Sequence, residues 1–493
     1  MEFRVKNIVF INVVLIVLAC VLVVVINQPA VNAIVALLIW IAGFVYSIRD
    51  IKKRFALFTF EVGYFVFLLG GYTINFIKTG GFSYFTNSNE TIVHTTMSVC
   101  ISLGIVTAVS ILMHERTNKS KESRDESNEP NEKKENETDL TELSEDEVNS
   151  NQFDIPSYYR VTLFVLVLFS FICQLIETIV ETTYILSTNY LIDTSAVLNN
   201  LPRVIIHGAS YYYISLFLYL ATFPTKKKTL IVIVSGFIIA FLTLISGRRG
   251  EPIALILAIV YYIILRNRKG IKDLIIKKKV IVVLIILLPI FVVFLQQLGA
   301  TRVNKQFTSN TVEAIGSFFE DQGGSVRIVA NGYDSRDRIT EIGGRTYLLG
   351  EFRNYMKTNI FTQLIFGTKV GSRYERAISG DQYSATYNYL YLSSYSFESG
   401  IGNGTTYIAE AFHDGGYLML VIISIYIGFL ISILDTSSKL NHPIWTGIFL
   451  NIMRYIALLP RGYSFAWLTS TFAIQNLVLF LVCFLLLHNK RSA

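Results

Sequence analysis

The chain has 493 residues, 52% of them hydrophobic and only 16% charged, with a formal net charge of +7. Apolar runs near the roughly 20 residues that cross a bilayer recur from end to end, which excludes a soluble globular enzyme and predicts an all-α polytopic integral membrane protein. The four cysteines, Cys20, Cys100, Cys173 and Cys483, all lie within apolar runs, which argues against a disulfide framework.

The first run, from Ile8 to Ile26, is too long for a signal-peptide core and lacks a cleavage site, so it reads as a retained helix. With 31–48, 55–77 and 93–113 it forms a group of four spans within residues 1–114. Residues 115–157 are expected to be an acidic, disordered cytoplasmic linker. Between 115 and 154 there are fourteen acids against six bases and nothing that could bury a core. Five spans follow within 158–299, at 158–186, 204–223, 229–246, 252–265 and 280–299. Residues 300–403 then mix apolar, aromatic and charged side chains, as in Gly343-Gly344-Arg345-Thr346-Tyr347. A connection of that length and composition is expected to be ordered and functional, a small and mostly helical cap. Spans at 416–434, 443–460 and 463–487 close the chain within 404–493, for a total of about twelve.

Lys and Arg in short loops set the orientation. Arg49 to Arg54, Lys226 to Lys228, the stretch from Arg266 to Lys279 and both termini fall on one side, which is therefore predicted to be cytoplasmic. The cap at 300–403 is then external, although it carries eight Arg and three Lys. The guanidinium is a planar fork that matches phosphate bidentately, where an ammonium is a point charge. Most of the cap arginines are expected to pair with the ten acids of the same loop.

Arg248 and Arg249 are different, because they sit between two apolar spans in Leu244-Ile245-Ser246-Gly247-Arg248-Arg249-Gly250-Glu251-Pro252, where Glu251 alone cannot neutralise both. They read as an anion site at the membrane surface, with snorkelling to lipid headgroups as the alternative. A second cluster follows the cap, from Ser399 through the glycines to Ile408-Ala409-Glu410-Ala411-Phe412-His413-Asp414. Glu410 and His413 are candidate general bases, with helix capping at the surface as the alternative, and capping is the expected role of Asp414. Tyr383, Tyr387, Tyr389, Tyr391 and Tyr395 crowd the stretch before it. Such rings suit flat sugar faces, and an interfacial belt also accounts for them. Tyr387, Tyr391 and Arg345 are the substrate-binding candidates. Arg454, Pro460 and Arg461 end the eleventh span on the same outer side, while Glu177 and Glu181 read as a solvated helix face. No metal cluster or phosphate-binding Gly-Lys-Ser/Thr loop is evident, so no metal or cofactor is expected, and no nucleic-acid partner.

An apolar helix ending in Ser246-Gly247-Arg248-Arg249-Gly250-Glu251, a long external loop, the Gly-rich approach to Ile408-Ala409-Glu410 and the outer Pro460-Arg461-Gly462 resemble the Wzy-type polymerases of O-antigen and capsular polysaccharide. By motif the resemblance covers most of 229–487, and by architecture the whole chain. It departs from the family in lacking the Arg-x10-Gly pattern of some members' external loops and in having the acidic linker. The resemblance implies a GT-C-like fold in the bacterial cytoplasmic (inner) membrane with its active site facing outside. It also implies repeat units carried on undecaprenyl pyrophosphate as substrates, and a flippase and a chain-length regulator as partners in the bilayer. Arg248, Arg249 and Arg461 would then hold the pyrophosphate, and a base from 398–414 would deprotonate the acceptor hydroxyl. An O-antigen ligase, a lipid-linked oligosaccharide flippase and a non-catalytic assembly factor are the alternatives.

Overall fold

The computed structural model describes residues 2–127, 155–187, 195–198, 200–246, 248, 250–274, 293, 311–344, 346–359, 362, 365–366, 372–398, 402–436 and 442–488. These residues form helices and turns, and no strand occurs among them. The longest helices follow the apolar runs. They are α1 (Glu2–Ile26), α2 (Pro29–Arg49), α3 (Phe55–Thr79, with a π-helical turn at Phe65–Leu69) and α4 (Asn89–Ser127). After the acidic stretch come α5 (Ser157–Ser187), α6 (Arg203–Ser210), α7 (Tyr212–Leu220), α8 (Lys226–Ile245) and α9 (Gly250–Arg268).

Local chemistry sets several of the ends. Pro29 opens α2 at a position where a missing amide hydrogen costs nothing. Gly80, at φ 68°, ends α3 in the left-handed region. Helix α9 carries Glu251 in its first turn and Arg266 and Arg268 in its last, both complementary to the helix dipole.

Among the described residues seven helices are long and apolar enough to cross a membrane: α2, α3, the Asn89–Thr117 part of α4, α5, α8, α9 and α17 (Tyr407–Thr436). The chain is thus a nearly all-helical polytopic membrane protein. Three expected spans take another form. The 204–223 run breaks at Tyr211 into α6 and α7. The 443–460 run is α18 (Pro443–Ile456) followed by a 3-10 turn at Leu459–Arg461. The 463–487 run divides into α19 (Ala466–Thr471) and α20 (Ile474–His488). The expected span at 280–299 lies outside the described residues, apart from residue 293. Residues 115–127, expected to belong to a disordered linker, continue α4 as helix. Glu115 there accepts hydrogen bonds from Tyr46 at 2.8 Å and Arg54 at 3.4 Å.

Helices α4 and α17 form the centre of the bundle, α4 also packing on α1, α2 and α3. Small polar side chains let them approach. Ser424 donates to Ser102 at 3.0 Å, and Ser110 to the Gly428 carbonyl at 3.1 Å. At one end Asp435 accepts from the Ala56 and Leu57 amides, capping α3, and Arg268 reaches the Asp435 carbonyl. The loops that the Lys and Arg pattern assigns to one side therefore meet there. At the other end lies the cap, made of α10 (Thr311–Gln322), α11 (Ser325–Asp334), α12 (Arg336–Gly343), α13 (Gly350–Thr358), α14 (Arg373–Ile378), α15 (Tyr383–Tyr391) and α16 (Ser394–Glu398). Helix α10 packs on the end of α3, where Tyr84 donates to the Glu320 carbonyl and Lys78 pairs with Glu320, and α11 packs on α4 and α17.

Candidate functional site

The cap meets the membrane helices at the start of α17. Residues 402–406 approach it outside any helix, and two glycines shape the approach. A Cβ on Gly402 would come within 2.9 Å of the Arg373 guanidinium. Gly404 has φ 78° and brings the backbone alongside Arg461, whose Nε is 3.7 Å from where a Cβ would stand. Asn388 of α15 holds this segment by accepting the Asn403 amide at 2.9 Å.

Glu410, one turn into α17, is 1% exposed. Its Oε1 accepts from the Thr405 hydroxyl at 2.9 Å, and its Oε2 from both the amide and the hydroxyl of Ser464 at 3.1 Å. One carboxyl group thus ties the glycine segment to the turn after α18. Tyr463 in that turn bonds Ser384 of α15.

Arg461 belongs to the same site. It is half-buried, donates from Nη1 to Gln322 Oε1 at 2.9 Å and lies 5.7 Å from the Phe67 ring. Burial lowers its pKa. Among the described residues no carboxylate pairs with it. Arg454, seven residues earlier, has the same lack and rests 3.5 Å above the Tyr213 ring. A cation held in a half-dry setting with only neutral partners is a ready anion receptor.

Arg248 is placed otherwise. Its Nη1 donates to Glu181 Oε2 at 2.9 Å and its Nη2 to Glu181 Oε1, so the fork is already taken by a carboxylate. Glu181 is accordingly not on a solvated face: its side chain is 11% exposed, because α5 and α8 bury it between them. Periodicity showed the acid but not its partner 67 residues away. Replacing either member, Arg248→Gln or Glu181→Gln, is expected to destabilise the folded protein by about 1–3 kcal/mol, between the values for exposed and for buried pairs. The double variant should lose less than the sum. Thermal unfolding in detergent measures this, and unchanged midpoints in both single variants would mean that the pair contributes nothing. Arg249 and Arg345 lie outside the described residues.

His413 and Asp414 face the cap. Asp414 accepts the Tyr347 and Leu348 amides, each at 2.8 Å, and so caps a turn of the cap rather than its own helix. The His413 ring packs edge-on to Tyr347, with centroids 4.9 Å apart, and its Nδ1 has no hydrogen-bond partner among the described residues. With His94, Tyr333, Arg336, Tyr383 and Phe412 it lines a cavity of about 10 Å3, room for about one water. Tyr387 is 2% exposed and its hydroxyl accepts from Asn331, so its ring is enclosed, whereas Tyr391, stacked on it at 4.7 Å, is 39% exposed. Of these two only Tyr391 presents a face to an outside ligand.

The structure therefore places Glu410 and Arg461 against adjoining residues of the same two segments, Glu410 on Thr405 and Ser464 and Arg461 alongside Gly404, sets His413 on the cap side of the same helix as Glu410, and takes Arg248 to a separate ion pair. Thr405, Ser464, Gln322 and Tyr463 are site residues that the sequence did not single out. Thr405 and Ser464 flank motifs that it did, the glycine segment and Pro460-Arg461-Gly462. Among the described residues no group of three metal-binding side chains forms.

A family model described as O-antigen polysaccharide polymerase Wzy matches residues 7–491. No curated protein and no solved structure matches the chain.

Proposed function

Because the chain belongs to the family of O-antigen polysaccharide polymerases called Wzy, we propose that it polymerises oligosaccharide repeat units carried on undecaprenyl pyrophosphate, at the extracytoplasmic face of the bacterial inner membrane. Family membership makes it a membrane polymerase with glycosyltransferase-type activity; the carrier lipid, the face and the twelve crossings are part of this proposal. The observation that carries it is Arg461, half-buried, without a carboxylate partner among the described residues, and alongside Gly404, whose neighbour Thr405 bonds the buried Glu410.

In the proposed step an acceptor hydroxyl attacks the anomeric carbon of the growing chain. The bond from that carbon to the pyrophosphate oxygen breaks, and the carrier leaves as an anion. Arg461 stabilises the charge that builds on the leaving phosphate. Glu410 takes the proton. The Thr405 hydroxyl turns from Oε1 to let the acceptor in, while Ser464 keeps Oε2 in place. The exposed face of Tyr391 stacks against saccharide at the edge of the cap.

Deletion of the gene is expected to leave single repeat units at the cell surface with long polymer missing. Long polymer retained on its carrier would indicate a ligase instead, and units trapped inside a flippase. In the complemented strain a topology reporter at residue 350 should read external and one at residue 130 cytoplasmic. The reverse pattern would put the site on the wrong face for this reaction.

A further inference from the structure

Away from Arg461, a groove of about 420 Å3 opens sideways between α1, α4 and α17. Its walls include Val17, Val21, Val24, Ile101 and Val421, with Gly104 leaving room between them, and among the described residues no charged side chain lines it. The valines of α1 are half exposed, so the groove opens onto the surface that a bilayer would cover. Such a cleft is matched to hydrocarbon.

Its edge is not apolar. Tyr417 lines the groove, and a 2.8 Å hydrogen bond joins its hydroxyl to His94 Nδ1. The His94 ring stacks at 4.0 Å on Tyr333 of the cap and lies 4.1 Å from Phe412. Above Phe412, at 5.3 Å, is the guanidinium of Arg336, which donates to the His413 carbonyl. Arg336 is exposed and, among the described residues, makes no ion pair, although Asp334 and Asp337 are near it in sequence. Directly before Tyr417 the helix breaks at Gly415 and Gly416. Gly416 has φ 62° and nothing within 4 Å of a Cβ position, so space opens where the groove meets the cap. From the groove's edge at Tyr417 the packed rings of His94 and Phe412 thus lead to an exposed cation at the cap.

We propose that this groove seats the polyprenyl chain of the acceptor, with its pyrophosphate at Arg336. The inference rests on the polymerase reading above and adds a second lipid site to it. Each transfer needs two carrier-linked partners, and among the described residues Arg461 and Arg336 are separate cations that share no contact: Phe67, Gln322 and Gly404 lie against one, Phe412 and His413 against the other.

The test is elongation in proteoliposomes with a fixed long-chain donor and acceptors on either an undecaprenyl or a short geranyl pyrophosphate. A lipid tail leaving the bilayer for a protein groove gains packing but little hydrophobic free energy. The wild-type preference for the long acceptor should therefore be modest, roughly 3- to 30-fold in kcat/KM. Val421→Trp, or Val17→Phe where the larger change prevents folding, should abolish the preference while keeping activity on the short acceptor. Arg336→Gln should raise KM for both acceptors alike. A full preference retained in the filled variants would overturn the proposal and leave the groove to ordinary phospholipid. A wild-type protein that elongates neither acceptor would instead count against the polymerase reading.

Discussion

Glu410→Gln is expected to lower the rate of polymerisation by about two decades or more at normal protein level. The substitution separates two tasks of one side chain. Ser464 presents both an amide and a hydroxyl to Oε2, and an amide hydrogen can only donate, so the glutamine must turn its oxygen there. Its NH2 then faces Thr405, whose hydroxyl can accept as readily as it donates. The link between the glycine segment and the 462–464 turn survives, and only the capacity to take a proton is lost. Glu410→Ala removes both, so it should lower thermal stability as well as rate. The measurement is in vitro chain growth on lipid-linked repeats, with the midpoint of unfolding as control. If the glutamine variant builds polymer at the wild-type rate, the base is elsewhere, and His413→Ala, with the unpartnered Nδ1 removed, is the next variant to assay.

The membrane architecture was open to reading because hydropathy and the placement of Lys and Arg are one-dimensional properties. Arg54, Glu115, Arg268 and Asp435 come together at one end as the loop charges require. What hydropathy cannot register is the backbone. The 204–223 and 463–487 runs are apolar enough to span, yet each breaks, at Tyr211 and between Thr471 and Ile474. The side-chain amide of Asn476 donates to the Ser470 and Thr471 carbonyls, satisfying acceptors that the broken helix leaves open.

Within the site, residue type was legible and partnership was not. The glycines before α17 and the presence of Glu410 beside an apolar span are visible in the chain, but base and surface cap are equal readings of that carboxylate until its burial and its partners Thr405 and Ser464 are known. Arg248 shows the limit. From its neighbours in the chain it is a cation without a counter-ion, and the counter-ion is supplied by α5. Asp414 likewise caps amides of Tyr347 and Leu348, more than sixty residues upstream. Pairings across helices are fixed by how the bundle packs, and no spacing within a single helix encodes them.

That contrast between the two arginines gives the second large effect. Arg461→Lys is expected to slow transfer roughly 10- to 150-fold, whereas Arg248→Lys should change it little. A charge-assisted hydrogen bond to a partly desolvated anion is worth about 1.5–3 kcal/mol, and lysine keeps the charge but loses one prong of the fork. Arg461 has a neutral partner in Gln322, so its remaining donors are available to a phosphate. Arg248 has both prongs on Glu181, and a lysine there keeps an ion pair that serves the helices rather than the reaction. Arg461→Gln removes the charge too and should cost more than Arg461→Lys. Because the leaving group carries the charge, the loss should appear in kcat more than in KM. Steady-state elongation by purified variants gives both constants. Equal rates for Arg461→Lys and the wild-type protein would reduce Arg461 to a packing residue under the cap, and a large effect at Arg248 alone would move the pyrophosphate to the Glu181 side of the bundle.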